Sequence, residues 1–217
     1  MPTARPSLVL ASASPARLKT LRHAGVEPQV IVADVDEPAV VKQYAALNGA
    51  ALSAEEVALV LARAKAEVVA AVTDDALVLG CDSVLELDGE VHGKPAGPAE
   101  ATERWQRMRG REGVLHTGHW LVDTRADGSA ATIGAVASTV VRFADISDAE
   151  IAAYVATGEP LTVAGAFTLD GLGGAFVEGV DGDPHAVVGL SLPLLRRLVA
   201  ETGVSWPDLW TARPLDQ

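Results

Sequence analysis

The sequence predicts an α/β fold, a mixed twisted sheet flanked by helices. Three observations carry that prediction. Short apolar runs alternate with capped amphipathic segments in the first half of the chain, the pattern of strands exchanging with helices. Further on, two longer strand-like stretches follow one another through an Asp-Gly turn, which favours antiparallel pairing. The chain has 217 residues, of which 49% are hydrophobic and 21% charged. A chain of that size buries roughly 70% of the surface its unfolded form exposes, so it needs no staples. Neither repeats nor a long flexible linker divide residues 1–217, and a single domain is expected.

The elements follow in order. Leu8–Ala11 is too short for a helix and reads as a buried strand ending at Ser12. Ser14 and Pro15 are an N-cap and first helical residue; Leu18 and Leu21 continue at helical spacing to Gly25. Val30–Val32 is the next strand, running into a loop at Asp34–Pro38, and Val40–Gly49 has no decisive period. Ser53–Glu56 forms a capping box, after which Val57, Leu61, Ala64, Val68 and Ala71 mark one helix face. Ala76–Leu79 is a buried strand that stops at Gly80-Cys81-Asp82. Val84–Leu87 and Glu90–Val91 flank the hairpin signal Asp88-Gly89. A helix over Pro98–Arg109 precedes strands at Leu115–Asp123 and Ala130–Ala144, joined through Asp127-Gly128. Ser147–Glu150 opens a further helix that stops at Gly158. The Gly-rich stretch Gly165–Gly182 holds one strand around Ala175–Val177, and a last helix runs from Leu192 to Gly203. Aromatic residues in the tail Trp206–Trp210 suit packing onto the core or a partner.

Charge and cysteine content narrow the function classes. Seventeen Lys and Arg stand against 29 Asp and Glu, a net charge of −12, which disfavours a broad face for long nucleic acids or a membrane. No apolar run is long enough to span a bilayer, and the segment Met1–Pro6 lacks a secretory apolar region. One Cys excludes an intramolecular disulfide and a Cys-based zinc cluster, and a cytoplasmic setting is expected. The basic charge is unevenly placed. Arg5, Arg17, Lys19 and Arg22 precede the first acid, Glu27, and only four lysines occur in the chain.

Three segments suggest chemistry. The turn Ser12–Arg17 delivers a strand to a helix N-terminus, where free N–H groups, Ser12, Ser14 and Arg17 suit an anion. An ordinary capped helix is the commoner reading of that turn taken alone. Asp82 follows a buried strand, where open α/β sheets place ligands, and its carboxylate suits a base or a divalent-metal ligand. Asp36-Glu37, which also follows a strand, would add carboxylates to a Mg²⁺ site. Lys94 stands in a Gly-Lys-Pro loop, whereas Lys65 on spacing alone is a solvated helix residue. The stretch Gly89–Pro95 is no P-loop, having three residues between its glycines and Pro after Lys. His116 and His119 point to opposite faces of one strand, so they do not share a metal. Cys81 reads as a small buried residue, and Asp181-Gly182-Asp183 as a tight turn.

Taken in order, these pieces resemble the Maf family of nucleotide pyrophosphatases. The matching segments are LASASPARLKTLRHAG from Leu10, VDE at Val35–Glu37, LARAKA at Leu61–Ala66 and GCDSVLELDGEVHGKP at Gly80–Pro95. MRGREGVLHTG from Met108, AEIAAYVATGEPL from Ala149, AGAFTLDGLGG at Ala164–Gly174 and GDPHAVVGLSLPLL from Gly182 complete the set. The resemblance implies a fold like that of inosine triphosphatase. It also implies hydrolysis of a nucleoside triphosphate to monophosphate and pyrophosphate, a divalent cation (Mg²⁺ or Mn²⁺) and a homodimer. It puts the general base on Asp82, metal binding on Glu37 and Asp82, and phosphate-binding lysines on Lys65 and Lys94. Substrate contacts fall on Ser12, Ser14, Arg17 and Asp170. The resemblance reverses the reading of Lys65 as merely solvated.

Two departures bear on substrate choice. Ala16 stands where the family's Ser-Pro-Arg-Arg turn has an Arg, and Asp170 where members acting on dTTP and UTP carry Gln. A group resembling 7-methyl-GTP hydrolases tends to have an acid there but a bulky residue at the position of Ala16. The chain fits neither subgroup, so a modified or non-standard nucleotide is expected. The alternative is a non-catalytic nucleotide-binding regulator of septum formation. Retained Asp82, Glu37 and both lysines favour catalysis over that role.

Overall fold

The computed structural model describes residues 5–211; residues 1–4 and 212–217, which include the start of the Met1–Pro6 segment, lie outside it. Seven strands form one mixed sheet: β1 (Ser7–Ala11), β2 (Gln29–Val30), β3 (Ala76–Leu87), β4 (Glu90–His92), β5 (Glu112–Asp123), β6 (Thr132–Phe143) and β7 (Val177–Asp181). Their order is β2-β1-β3-β5-β6-β7, with β4 beside β3. The β1 pairings with β2 and β3 are parallel, and the others are antiparallel.

β3 is the central strand, and its two edges differ. One edge pairs with β5 from Leu77↔Asp123 to Glu86↔Val114. The other is shared: β1 covers it as far as Ala11↔Gly80, and β4 resumes only at Leu85↔His92. Residues 81–84 are therefore left in a gap between two strands. β1 and β4 approach that gap from opposite directions, and both end there. The Asp88-Gly89 turn that sends β4 back has positive φ at both residues (56° and 76°), as a two-residue hairpin requires.

Helices cover both faces. On one lies α3 (Ala54–Ala70), capped by the predicted Ser53–Glu56 box, with α2 (Glu37–Asn48) beside it. Ala58, Ala62 and Ala66 recur every fourth residue on the buried side of α3 and are fully enclosed. Opposite them the sheet presents Gly80 and Gly118. A Cβ on Gly80 would lie 2.1 Å from the Ala62 carbonyl oxygen, and one on Gly118 would lie 2.3 Å from that of Ala58. The helix backbone thus rests on the sheet backbone, with no side chain between them at these two points.

The opposite face is covered by α1 (Pro15–His23), α6 (Pro184–Val188) and α7 (Leu192–Glu201). Leu8, Leu10, Leu77, Leu79, Cys81 and Leu121 pack there against Leu194, Leu195 and Leu198 of α7. A second core gathers α4 (Pro98–Met108) and α5 (Asp148–Ala156) around Trp105. Phe143, Tyr154 and Phe176 meet the Trp105 ring edge-on with centroids 5.6–5.8 Å from its own, and Trp105 Nε1 donates to the Ala166 carbonyl at 2.8 Å.

Several boundaries differ from the sequence expectation. Ala76–Leu79 and Val84–Leu87 are parts of one strand, so Asp82 lies inside β3 and not beyond its end. Gly, Asp and Ser are poor strand residues, but continuous pairing with β5 carries the backbone through them. Val30–Val32 shrinks to the two-residue β2, and residues 40–48 become part of α2, capped by Asp36 and closed by Gly49 at φ +70°. The strand expected at Ala175–Val177 begins only at Val177, because Leu172–Phe176 winds into a 3₁₀ turn. The tail returns to the body: Leu209 is buried, and Thr211 N–H donates to Gly25 at 2.8 Å. No helix among the described residues is long and apolar enough to cross a membrane.

The backbone contact under α3 gives a direct stability test. Gly80→Ala should cost about 3 kcal/mol in urea unfolding, since the new methyl meets backbone that cannot rotate away.

Candidate active site

Asp82 and Ser83 occupy the gap between β1 and β4. Successive residues of a strand face opposite ways, so Asp82 points to the α3 face and Ser83 to the α1 face. Gly80 shares the α3 side with Asp82, and the close approach it permits brings Lys65, next to Ala66, onto that carboxylate. Lys65 Nζ lies 2.5 Å from Asp82 Oδ1 and 2.7 Å from Glu37 Oε1. Glu37 is the first residue of α2 and is half exposed, whereas Asp82 and Lys65 are enclosed. One ammonium therefore bridges two carboxylates that come from different elements.

Charge and burial compete at this bridge. Burial pushes the Asp82 carboxyl above the usual aspartate value, opposed by the nearby charges of Lys65 and Arg17. For Lys65, burial acts to lower the ammonium, but Asp82 and Glu37 outweigh it and hold the group charged. The outcome is an ionic bridge whose carboxylate is more basic than an exposed aspartate.

On the other face, among the described residues, Arg17 is held by three oxygens, none of them a carboxylate. Nε donates to the Gly189 carbonyl at 2.7 Å, Nη1 to Ser12 Oγ at 3.1 Å and Nη2 to Ser83 Oγ at 3.1 Å. Gly189 takes φ +112°, a backbone that favours glycine, and it follows the short helix α6. Ser12 Oγ also accepts from Ser14 N–H at 3.2 Å, while Ser14 Oγ caps α1 by accepting from Arg17 N–H at 3.4 Å. The predicted turn is thus a capped helix start with an arginine folded back over it.

The remaining expected residues sit on the rim. Lys94 is exposed, two residues past the last β4 pairing, and among the described residues it makes no hydrogen bond or ion pair. Asp170 lies 3.8 Å from Lys19 of α1, which links the late Gly-rich loop to the helix carrying Arg17. Glu159 fastens that loop: Thr168 Oγ1 donates to it at 2.5 Å, and Leu172 and Gly173 N–H each at 3.0 Å. These bonds outweigh burial and hold the Glu159 carboxyl below its usual range. Sequence reasoning missed Glu159, Ser83, Thr117 and Gly189. Each of the four lies in one of the segments that carry the family resemblance, and none was given a role there.

Thr117 stands opposite Ser83 on β5, and His119 is further along the same face. Among the described residues the ring of His119 has two partners. Nδ1 meets the Thr117 carbonyl at 3.1 Å, and Nε2 accepts from Ser191 N–H at 2.8 Å. A carbonyl only accepts and an amide N–H only donates, so the proton is on Nδ1 and the ring is neutral. Burial pushes its pKa down to about 4. His116 faces away, toward Ser138 and Glu86, as the strand alternation required.

Among the described residues, no group of three or more His, Cys, Asp or Glu forms a metal cage. Glu37 and Asp82 each keep an oxygen without a hydrogen bond among those residues, and both are hard donors. Such a pair suits Mg²⁺, which is commonly bound by one or two carboxylates with water and substrate phosphate completing its shell. A cleft of about 420 Å³ opens beside Glu37, between α2 and α3. Asp34, Asp36 and Glu67 line it with no Lys or Arg, so a phosphate chain does not belong there.

The family described as "Maf-like protein" matches residues 7–202. A nucleoside triphosphate pyrophosphatase of Salinispora tropica is 59% identical over 94% of this chain and 87% of that protein. One from Streptomyces coelicolor is 56% identical over 96% of this chain and 97% of its own length. Among solved structures, a dITP/XTP pyrophosphatase from Mycobacterium abscessus aligns with 64% of this chain and 74% of its own, at 15% identity and a TM-score of 0.35. That likeness is too slight to argue from.

His119 has a measurable consequence. Its folded pKa lies below the unfolded value of about 6.5, so its contribution is complete above that pH and declines as pH falls toward about 4. Urea unfolding between pH 7 and pH 4 should show this loss, up to about 1.4 kcal/mol per pH unit, and His119→Gln should flatten the slope.

Proposed function

The chain belongs to the Maf-like protein family, and we propose that it is a nucleoside triphosphate pyrophosphatase, a hydrolase releasing a nucleoside monophosphate and pyrophosphate. The observation that carries this reading is the pairing of unlike cations across β3. Lys65 is neutralised by carboxylates, while among the described residues Arg17 is held only by neutral oxygens. The first arrangement suits a base and the second suits a polyanion.

In this reading the triphosphate lies in the gap between β1 and β4. Arg17, the α1 N-terminus, Ser12 and Ser14 bind its phosphate oxygens from one side, and Lys94 from the rim. Asp170, on the loop that Glu159 fastens, borders the substrate from the α1 side. Asp82 uses the oxygen not bonded to Lys65 to orient a water and take its proton. The water attacks the α-phosphorus in line; the bond to the bridging oxygen breaks, and pyrophosphate leaves. Lys65 keeps Asp82 ionised despite its burial and holds it in place. A divalent cation held by Glu37 and Asp82 would neutralise phosphate charge.

Ala16 with Asp170 favours a modified or non-standard nucleotide as substrate. The one thiol, Cys81, is buried and its pKa is pushed up to about 12 by burial, so it is inert.

Two experiments test the reading. Asp82→Asn should lower kcat by about 10²-fold or more with the urea midpoint little changed, and near-normal turnover would remove Asp82 from the base role. Pyrophosphate release should appear over a panel of standard and modified triphosphates with Mg²⁺ or Mn²⁺, and vanish on chelation. Tight nucleotide binding with silence across the panel would support a non-catalytic regulator instead.

A further inference from the structure

We propose that the hydroxyl pair Ser83–Thr117 is a positioning element that holds Arg17 in place without neutralising it. Arg17 has five N–H groups, and among the described residues it spends three, on Gly189, Ser12 and Ser83. Two N–H groups and the full positive charge stay available to a ligand. A carboxylate in place of Ser83 would hold the guanidinium as firmly but cancel that charge.

The direction of each bond follows from what Thr117 meets. Thr117 Oγ1 lies 2.8 Å from the Ala186 carbonyl, which only accepts, so the threonine proton goes there. Ser83 Oγ lies 2.9 Å from Thr117 Oγ1 and is therefore the donor in that pair. Ser83 is left with its lone pairs facing Arg17, from which it accepts. The protons run one way, from Arg17 through Ser83 and Thr117 to the backbone of α6, and each bond polarises the next.

The relay is also clamped. Thr117 is fully buried, and its own carbonyl accepts from the neutral ring of His119, which in turn receives Ser191 N–H at the start of α7. Gly189, the third acceptor for Arg17, lies between α6 and α7. Arg17 is thus fixed from β3, β5 and the α6–α7 connection together, although it belongs to α1. Ser83 and Thr117 need not touch substrate; they act through the guanidinium.

This inference rests on the proposal that Arg17 binds the triphosphate, and the test separates the two. The readouts are KM and kcat for the triphosphate turned over fastest, and the inhibition constant of inorganic tripolyphosphate, which carries no base. Arg17→Ala should weaken tripolyphosphate inhibition by about tenfold or more. Thr117→Val and Ser83→Ala should each weaken it by about three- to tenfold, with KM rising more than kcat falls. Thr117→Ser and Ser83→Thr, which keep the hydroxyl, should restore it. The double variant Arg17→Ala/Thr117→Val should be no weaker than Arg17→Ala alone, since both changes remove one interaction. Additive losses, or normal inhibition of Thr117→Val and Ser83→Ala beside a weakened Arg17→Ala, would overturn the relay while leaving the Arg17 assignment standing. Unchanged inhibition of Arg17→Ala would overturn that assignment itself.

Discussion

The direct contact of the α3 backbone with the sheet is the constraint on which the site depends. At Gly80 and Gly118 no side chain separates helix from strand, and the alanines at positions 58, 62 and 66 complete the fit. A layer of larger residues there would raise α3 off the sheet, as close-packed interiors cannot absorb extra volume. The ammonium of Lys65 would then no longer reach Asp82, two residues along from Gly80 on the same face of β3. Packing and electrostatics are therefore one problem. The buried carboxylate is tolerable because a cation is delivered to it, and the cation arrives because the helix lies so low.

The gap at residues 81–84 is the second condition. A sheet normally pairs both edges of a central strand, and here β1 and β4 divide one edge between them and leave a break. Both strands end at that break, so Ser12 and Lys94 come from termini that could not have been neighbours in a continuous sheet. The break also opens both faces of β3 to one place. Asp82 and Ser83, consecutive in sequence and opposite in direction, serve a carboxylate bridge on one side and an arginine on the other.

Charge is arranged on the same plan. The molecule carries a formal −12, yet the residues around the first turn contain no acid, and Arg17 is anchored by hydroxyls and a carbonyl. A polyanion therefore meets a local positive field inside an acidic surface, strengthened by the low polarity of its surroundings. Acidic surroundings and a polyanionic ligand are compatible because field strength at the site depends on near charges more than on the total.

Much of this was legible in the residues, and the illegible part has physical causes. Caps and turns were readable because their chemistry is local: Ser14-Pro15, Ser53–Glu56 and Asp88-Gly89 act on backbone within three residues. Buried runs such as Leu8–Ala11 were readable from hydrophobic pattern. α2 was not, because none of its residues is fully buried and it therefore carries no strong apolar stripe. The continuity of β3 was hidden by Gly80, Asp82 and Ser83, whose weak strand preference is overridden by pairing with β5. Lys65 looked like any exposed lysine, and Thr117 like any strand threonine. By itself the sequence determined the α/β class, the helix caps, the anion-favouring first turn and the candidate carboxylate. Only tertiary structure decided that Lys65 bridges Asp82 and Glu37, and that Ser83 and Thr117 hold Arg17. Those contacts join residues 17 to 172 positions apart, and no local preference encodes a distance that exists only after the sheet has formed.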